Sequence, residues 1–584
     1  MTSTGRSRYD EVDTVDAVIV GSGPGGSTAA EVLTAAGWSV VMLERGANHL
    51  VDTEAPYDLR FHFSNDELKF RHRHFLGPDP LVEPRTFRRA SSGADRDWTG
   101  PVNDLPATVG GGGVHADGKL PRFRPEDFKC VSANGPMPGA DLVDWPVTYD
   151  EMEPYYTAAE YVVGVSGIAT GPTSNPFAAW RSAPYPMPPG PPMYGALLSS
   201  KAAEELGYHP YEAPTGANSV FYDGRGACIN CGHCAFFGCP VHAKGDPVGP
   251  LRKALQTGRM RLWPECFATR VVVQNGAATG VDFLDHEGQP RHVAGRHVVI
   301  AGGAMETPRL ALLSGLGGPH VGRYIMFHFQ TLTAGSMPFR VFAERGRDVT
   351  HAHDDSIVPD AAAMAAAKDA DLPWIRGGFT EHGGGGHPID ESKRLPSGPQ
   401  HRELMKASQL RQHLWAFTLQ GEDMPVATNV LDLDPSVKDV NGVPVARVTH
   451  APHKHEFVCT AHWGPRNEEI LKRMGALWAF STTSPAPDYD YGEFISPISE
   501  SKHVMGTMRM GPDPAGSVTD PYGRLHDVPN VLVADSSVFP TSAGYGPTLT
   551  LVAMTLRNAH ALAGTSLPPL DVITAPAREA GTLA

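Results

Sequence analysis

The stretch Asp16–Gly46, DAVIVGSGPGGSTAAEVLTAAGWSVVMLERG, decides the fold. Asp16–Val20 is a short β-branched run that reads as a strand buried on both faces. In the segment that follows, Ala29, Ala30, Val32, Leu33, Ala35 and Ala36 make a helix with a small apolar face. Gly37 ends that helix, and Ser39–Leu43 reads as a second strand. Gly21, Gly23 and Gly26 lie between the first strand and the helix. Their spacing suits a tight turn, a close backbone approach to a pyrophosphate and packing of helix on strand, with the helix N-terminus facing the anion. Glu44 ends the second strand, where a carboxylate would meet ribose hydroxyls, and Arg45 beside it joins the cofactor-binding set. This βαβ unit predicts a dinucleotide fold and leaves NAD and FAD undecided.

Working outward, a loop-rich stretch reaches GGGGVHADGKLPRF at Gly110–Phe123, and Thr148–Val165 carries the spacing of an amphipathic helix. Eight prolines between Pro172 and Pro192 forbid a regular helix or central strand, so 166–204 reads as an extended connector. Strands are predicted at Thr269–Gln274, Ala278–Leu284 and His297–Ala301, feeding back into the nucleotide-binding sheet. The block 331–499 alternates strands such as HLWAFTLQ with polar loops. The tail holds a strand at Val531–Ala534 and a helix from about Pro547 to Leu562. The 584 residues carry 49 basic and 64 acidic side chains, a net charge of −15 that argues against a nucleic-acid partner. Hydrophobic residues make up 41%, enough for large cores, and at about 150 residues per domain the length allows two to four units. No membrane-length apolar window or leader pattern is visible, so the expectation is a soluble, cytoplasmic protein with no membrane span.

Seven cysteines occur, and Cys228, Cys231, Cys234 and Cys239, followed by Pro240, form CxxCxxCx4CP. This is one residue longer than the ferredoxin cluster pattern. Zinc, a single disulfide and plain packing remain open beside an iron–sulfur cluster. Cys130, Cys266 and Cys459 read as isolated thiols.

Several segments together resemble the glucose-methanol-choline (GMC) oxidoreductases. They are VIVGSGPGGSTAAEVL with MLERG, AGGAMETPRLALLSG, and the tail HVMGTMRMGPDPAGSVTDPYGRLHDVPNVLVADSSVFPTS. VGGGGVHADGKLPRF, DWPVTYDEMEPYY, CINCGHCAFFGCPVHAK and LQGEDMP are most similar to the pyranose oxidase and gluconate or glucose dehydrogenase branch. The resemblance implies FAD, alcohol oxidation and an α/β fold. Its Rossmann-like FAD domain would be assembled from 13–165, 205–330 and 500–565, beside an α+β substrate domain with a largely antiparallel sheet at 331–499. Residues 1–12 and 566–584 are expected to be flexible termini. His503 matches the family's active-site histidine, and an imidazole suits removal of a hydroxyl proton as hydride leaves for the flavin. At the family's second active-site position, usually His or Asn, stands Gly546, which has no side-chain donor; Tyr545 is the expected substitute. His115, after Gly111 and Gly112, matches the position where pyranose oxidases attach FAD. Covalent attachment there stays open beside a role lining the flavin pocket. Asp535 is placed beside the isoalloxazine, Arg309 near the adenine, and Pro547 and Thr548 at a helix start facing the flavin. Similar membrane-associated dehydrogenases carry an iron–sulfur cluster at the cysteine motif. The expected reaction is oxidation of a hydroxyl of a sugar, glycoside or polyol, with oxygen or another electron acceptor. Three alternatives remain: a dehydrogenase subunit passing electrons through a cluster to a quinone or cytochrome, a non-redox lyase on a flavin scaffold, and a non-catalytic flavin-binding protein. A homo-oligomer is left open.

Overall fold

The computed structural model describes residues 9, 13–55, 81–89, 97–100, 102–103, 105–232, 234–235, 239–383, 391–392, 395–396, 398–483 and 501–573. The apolar run Val15–Val20 lies inside a seven-stranded sheet. It pairs in parallel with Val40–Leu43 on one side and with Pro290–Ile300 on the other. Met260–Trp263 extends the first side, and Val531–Val533 from the tail joins Pro290–Ile300. The parallel part of the sheet is therefore drawn from three distant stretches of chain. Pro290–Ile300 is long enough to serve twice, because its first half also pairs antiparallel with Ala277–Leu284, the neighbour of Phe267–Gln274. Both faces of the parallel part must be covered, which explains the unbroken Val/Ile/Leu runs.

Close backbone contacts hold these stretches together. A Cβ on Gly25 would lie 1.6 Å from the carbonyl oxygen of Ala534, and one on Gly26 would lie 2.0 Å from that of Gly21. The first of these contacts seats the helix Pro24–Ala35 against the tail. The following tail helix, Thr548–Ala563, packs against both Pro24–Ala35 and Tyr149–Val163.

A six-stranded antiparallel sheet forms the second layer, in the order Trp478–Thr483, Phe329–Ser336, Leu414–Gly421, Thr380–Gly383, Val349–His353 and Tyr211–Glu212. Odd-numbered residues of Phe329–Ser336 are buried on the side of the helix Lys454–Met474, and Gln330, Leu332 and Ala334 on the alternate side line the cavity described below. That 21-residue helix stands where the sequence suggested only strands and loops. It buries His455, Glu456, His462 and Asn467 and contains Gly464 and Pro465, so its apolar period is broken. A four-stranded sheet joins Arg85–Arg88 and Trp98–Gly100 to Val430–Lys438 and Pro444–Thr449, pairing segments expected in different domains.

Two expectations need correction. The connector 166–204 does not stay extended: after Pro192 it enters the helix Tyr194–Glu205, whose Gly195 lies so close to the Trp415 ring that a Cβ would sit 2.4 Å away. The termini are also partly held. Tyr9 is buried with its ring edge-on to Trp263 at 5.0 Å, and Leu570–Ile573 forms a short helix against Tyr149–Val163. The rest of 1–12, and 574–584, lie outside the described residues. Among the described residues no helix is long and apolar enough to cross a membrane.

Gly25→Ala forces a methyl group into the Ala534 carbonyl. It should cost about 3 kcal/mol, read as a lowered thermal midpoint together with weakened FAD uptake; an unchanged midpoint would contradict the docking contact.

Candidate active site

Between the glycine loop of the first sheet and the even-numbered face of the second lies a cavity of about 1070 Å³. Gly21 turns the chain with φ +98°, and a Cβ there would meet the Ala301 carbonyl at 2.4 Å. Gly23 opens onto the cavity with nothing within 4 Å of its Cβ position. The N-termini of Pro24–Ala35 and Thr548–Ala563 border the same space, a favourable setting for anionic groups. Glu44 is buried and already oriented: one oxygen accepts from Ser22 N and Oγ (3.0 and 2.6 Å), the other from Gly46 N (2.8 Å). A long cavity, a side-chain-free turn and a fixed carboxylate at one end fit FAD.

Gly111, Gly112, His115, Asp535, Pro547 and Thr548 also line the cavity, whereas Gly26 instead packs helix on strand. Arg45 lines it too but is paired with Glu83 and lies 3.7 Å from Glu306. It belongs to a charged cluster in which Arg85 and Arg309 also meet Glu306, and Arg309 meets Asp439 at 2.7 Å. Burial works against the Glu306 charge, and Arg309, Arg45 and Arg85 outweigh it, holding the carboxyl below the usual range. Asp535 accepts from Gly303 N, Thr307 Oγ1 and Ser537 N and Oγ, tying the tail to the first turn of the helix Gly303–Ser314.

His503 stands in the cavity wall, partly accessible from the cavity. Met326 and Met505 exchange backbone hydrogen bonds (3.0 and 2.9 Å), which puts His328 opposite His503 in the antiparallel register. Their Nδ1 atoms are 2.8 Å apart, and His328 Nε2 lies 3.1 Å from the Ser542 carbonyl. Burial disfavours the charged form of both rings, and His328, Lys119 and Lys502 add to the effect at His503, so both are neutral near pH 7. A carbonyl only accepts, so His328 carries its proton on Nε2 and accepts at Nδ1. His503 must then carry its proton on Nδ1, which leaves Nε2 as a bare acceptor. A Cβ on Gly546 would lie 3.9 Å from that Nε2.

Tyr545, expected to replace the missing donor, turns away. Its buried phenol donates to Asp354 at 2.8 Å, and Tyr211 and Asn175 donate to the same carboxylate. Instead, a polar chain that sequence reasoning missed lies on the cavity wall. Gln330 donates to Gln420 (2.9 Å), Gln420 to Glu381 (3.1 Å), and Lys119 to Glu381 (2.5 Å), with Asp117 2.6 Å from the same ammonium. Burial, only partly offset by Lys119, pushes the Glu381 carboxyl up to about 7. His328, Gln330 and Glu381 carried no signal in the sequence, and Gln420 lay within the strand HLWAFTLQ and the family-like LQGEDMP with nothing in the spacing to join it to the others.

Cys228, Cys231, Cys234 and Cys239 face one small cavity of about 10 Å³, and none forms a disulfide. Among the described residues, no three His, Cys, Asp or Glu side chains are disposed to hold a metal, so no step is assigned to a cluster. Lys244 ties this region to the flavin loop by donating to the carbonyls of Cys234, Val114 and Ala116, the last two flanking His115.

Models of GMC oxidoreductases match residues 193–330 and 425–555, and an FAD-binding domain model matches 14–57. The chain is 30% identical to paromamine 6'-oxidase of Streptomyces fradiae, covering 94% of this chain and 91% of that one. It is 28% identical to the gluconate 2-dehydrogenase flavoprotein of Pantoea cypripedii over 95% and 94%. Pyridoxine 4-oxidase from Mesorbium loti shares the fold at a TM-score of 0.59 and 16% identity, over 94% of this chain and all of that one. With the cavity, the glycine turn and the paired histidines in place, the chain belongs to the GMC oxidoreductases, FAD-dependent enzymes that act on CH–OH groups.

Proposed function

We propose that this enzyme oxidises a hydroxyl of a sugar, glycoside or polyol, with His503 Nε2 taking the hydroxyl proton. The observation that carries the reading is the hydrogen-bond order Ser542 carbonyl, His328, His503, which leaves one unprotonated nitrogen, and that nitrogen on the cavity side. His328 is a positioning residue, because it holds the His503 tautomer without reaching the cavity. Bound FAD supplies the acceptor for the hydride. The glycine turn and the two helix N-termini hold its phosphates, and Glu44 holds ribose hydroxyls. His115 lines the flavin pocket without a covalent bond.

The six-stranded sheet, most of it from 331–499, is the substrate-binding layer in this reading. Its cavity face runs from Gln330, Thr418, Gln420 and Glu381, suited to hydroxyl groups, to the half-exposed stacked pair Trp478 and Phe480, suited to a ring face. The substrate class also draws on the sugar-related names of the relatives. A second reading, electron transfer through an iron–sulfur cluster, is favoured by one observation: four thiols around one cavity, tied by Lys244 to the loop of His115.

An anaerobic screen of sugars, glycosides and polyols should bleach the oxidised-flavin absorbance with members of this class. His503→Asn should abolish bleaching while FAD stays bound, and a variant reducing at the wild-type rate would refute the base. Because burial, with His328, Lys119 and Lys502 adding to it, holds His503 well below its ordinary value, protonation of His503 should slow reduction only in buffer more acidic than pH 6.5, and any change of rate between pH 8 and 6.5 should belong to Glu381 and vanish in Glu381→Gln. Boiled protein should release its yellow colour into the supernatant; colour kept in the pellet would assign a covalent bond. Iron at several atoms per chain, with absorbance beyond the flavin bands, would establish the cluster reading, and less than one atom per chain would remove it.

A further inference from the structure

Turning an alcohol into a carbonyl makes two demands on one oxygen: an acceptor for its proton, and a donor to hold it while negative charge develops. His503 answers the first. Beside it the wall is Gly546, and a Cβ there would meet His503 Cε1 at 3.7 Å and the Lys119 carbonyl oxygen at 3.8 Å, both ordinary contacts. The space next to the base is therefore open, and no side chain at 546 supplies a donor.

Lys119, whose backbone carbonyl borders that opening, carries an ammonium on the same cavity wall, near enough for its charge to act on the His503 ring. Lys119 has three N–H groups, and Asp117 at 2.6 Å and Glu381 at 2.5 Å take two of them. Glu381 is itself held by Gln420, and Gln420 by Gln330, residues directly opposite each other on neighbouring strands. The carboxylates thus fix the ammonium in a wall that also holds His503, and the third N–H has no partner among the described residues. A charged, pre-oriented donor held by fixed carboxylates is the kind of group that stabilises a developing oxyanion, and a removed donor costs about a hundredfold or more in rate.

Resting on the reading of His503 as base, we propose that Lys119, fixed by Asp117 and Glu381, is a catalytic residue that donates a hydrogen bond to the reacting oxygen across the space left open by Gly546. The hydroxyl O–H bond breaks and its proton goes to His503 Nε2. The carbinol C–H bond breaks and its hydride goes to bound FAD, and the C=O bond forms. Lys119 keeps its own protons throughout and gains or loses no electrons. Its hydrogen bond strengthens as the oxygen becomes negative and weakens as the carbonyl forms.

The test is anaerobic stopped-flow reduction of the holoenzyme, at saturating concentration of whichever alcohol bleaches the flavin fastest. Lys119→Met should slow flavin reduction at least a hundredfold with FAD content unchanged. Gly546→Asn, which places a donor in the open space, should recover at least tenfold of that loss in the Lys119→Met background, and more than it gains in the wild type. Lys119→Met within threefold of wild type, or Gly546→Asn acting by the same factor in both backgrounds, would overturn the proposal. If Lys119→Met fails to hold FAD, Glu381→Gln takes its place. Loss of a buttress to the ammonium should slow reduction about tenfold, and a wild-type rate would overturn the proposal. His503→Asn measured alongside separates the two readings. An inactive His503→Asn with a wild-type-like Lys119→Met removes Lys119 alone, and an active His503→Asn removes the base and the proposal with it.

Discussion

The contact on which the rest of this molecule depends is between bare backbones. Gly21 lies against the Ala301 carbonyl, and Gly25 against that of Ala534, at separations that leave no room for a single carbon atom. Through these contacts the N-terminal βαβ unit, the Pro290–Ile300 strand and the C-terminal tail become one sheet, although hundreds of residues separate them in the chain. Any side chain there would separate the layers, and the two helix N-termini would no longer border one space.

A dry interior then sets the chemistry. Charging an imidazole away from water is costly, so the paired His328 and His503 are neutral, and the carbonyl of Ser542 allows only one proton order along the pair. Ser542 is itself held by exchanging hydrogen bonds with the backbone of Asp423, two residues past the strand Leu414–Gly421. The tautomer of His503 is therefore fixed from behind the cavity wall. The same dryness forces the cations and carboxylates around the cavity into pairs, as at Lys119 with Asp117 and Glu381 and at Arg309 with Glu306 and Asp439. Groups that in water would be interchangeable surface charges become fixed dipoles with defined partners.

What can be read from the sequence follows from whether a feature is local. Asp16–Gly46 could be read because strand period, helix composition and glycine spacing all act within 31 consecutive residues. His503 could be singled out because its flanking residues carry a family pattern. Tyr545 illustrates the opposite case: one residue from Gly546, it had the right chemistry for the missing donor, yet the turn sends its phenol into the core toward Asp354. The helix Lys454–Met474 was hidden for a related reason, since its buried face includes polar residues satisfied by other elements.

The sequence by itself determined the dinucleotide fold, the family and the likeness to flavin enzymes, and it singled out a histidine that lines the cavity, because each rests on short-range pattern. Only the tertiary structure decided which atom of that histidine is bare, which ring sets it, and that Lys119, Glu381, Gln420 and Gln330 form one chain beside it. Those facts depend on hydrogen bonds between residues far apart in sequence, and a hydrogen bond has a direction that no spacing of letters records.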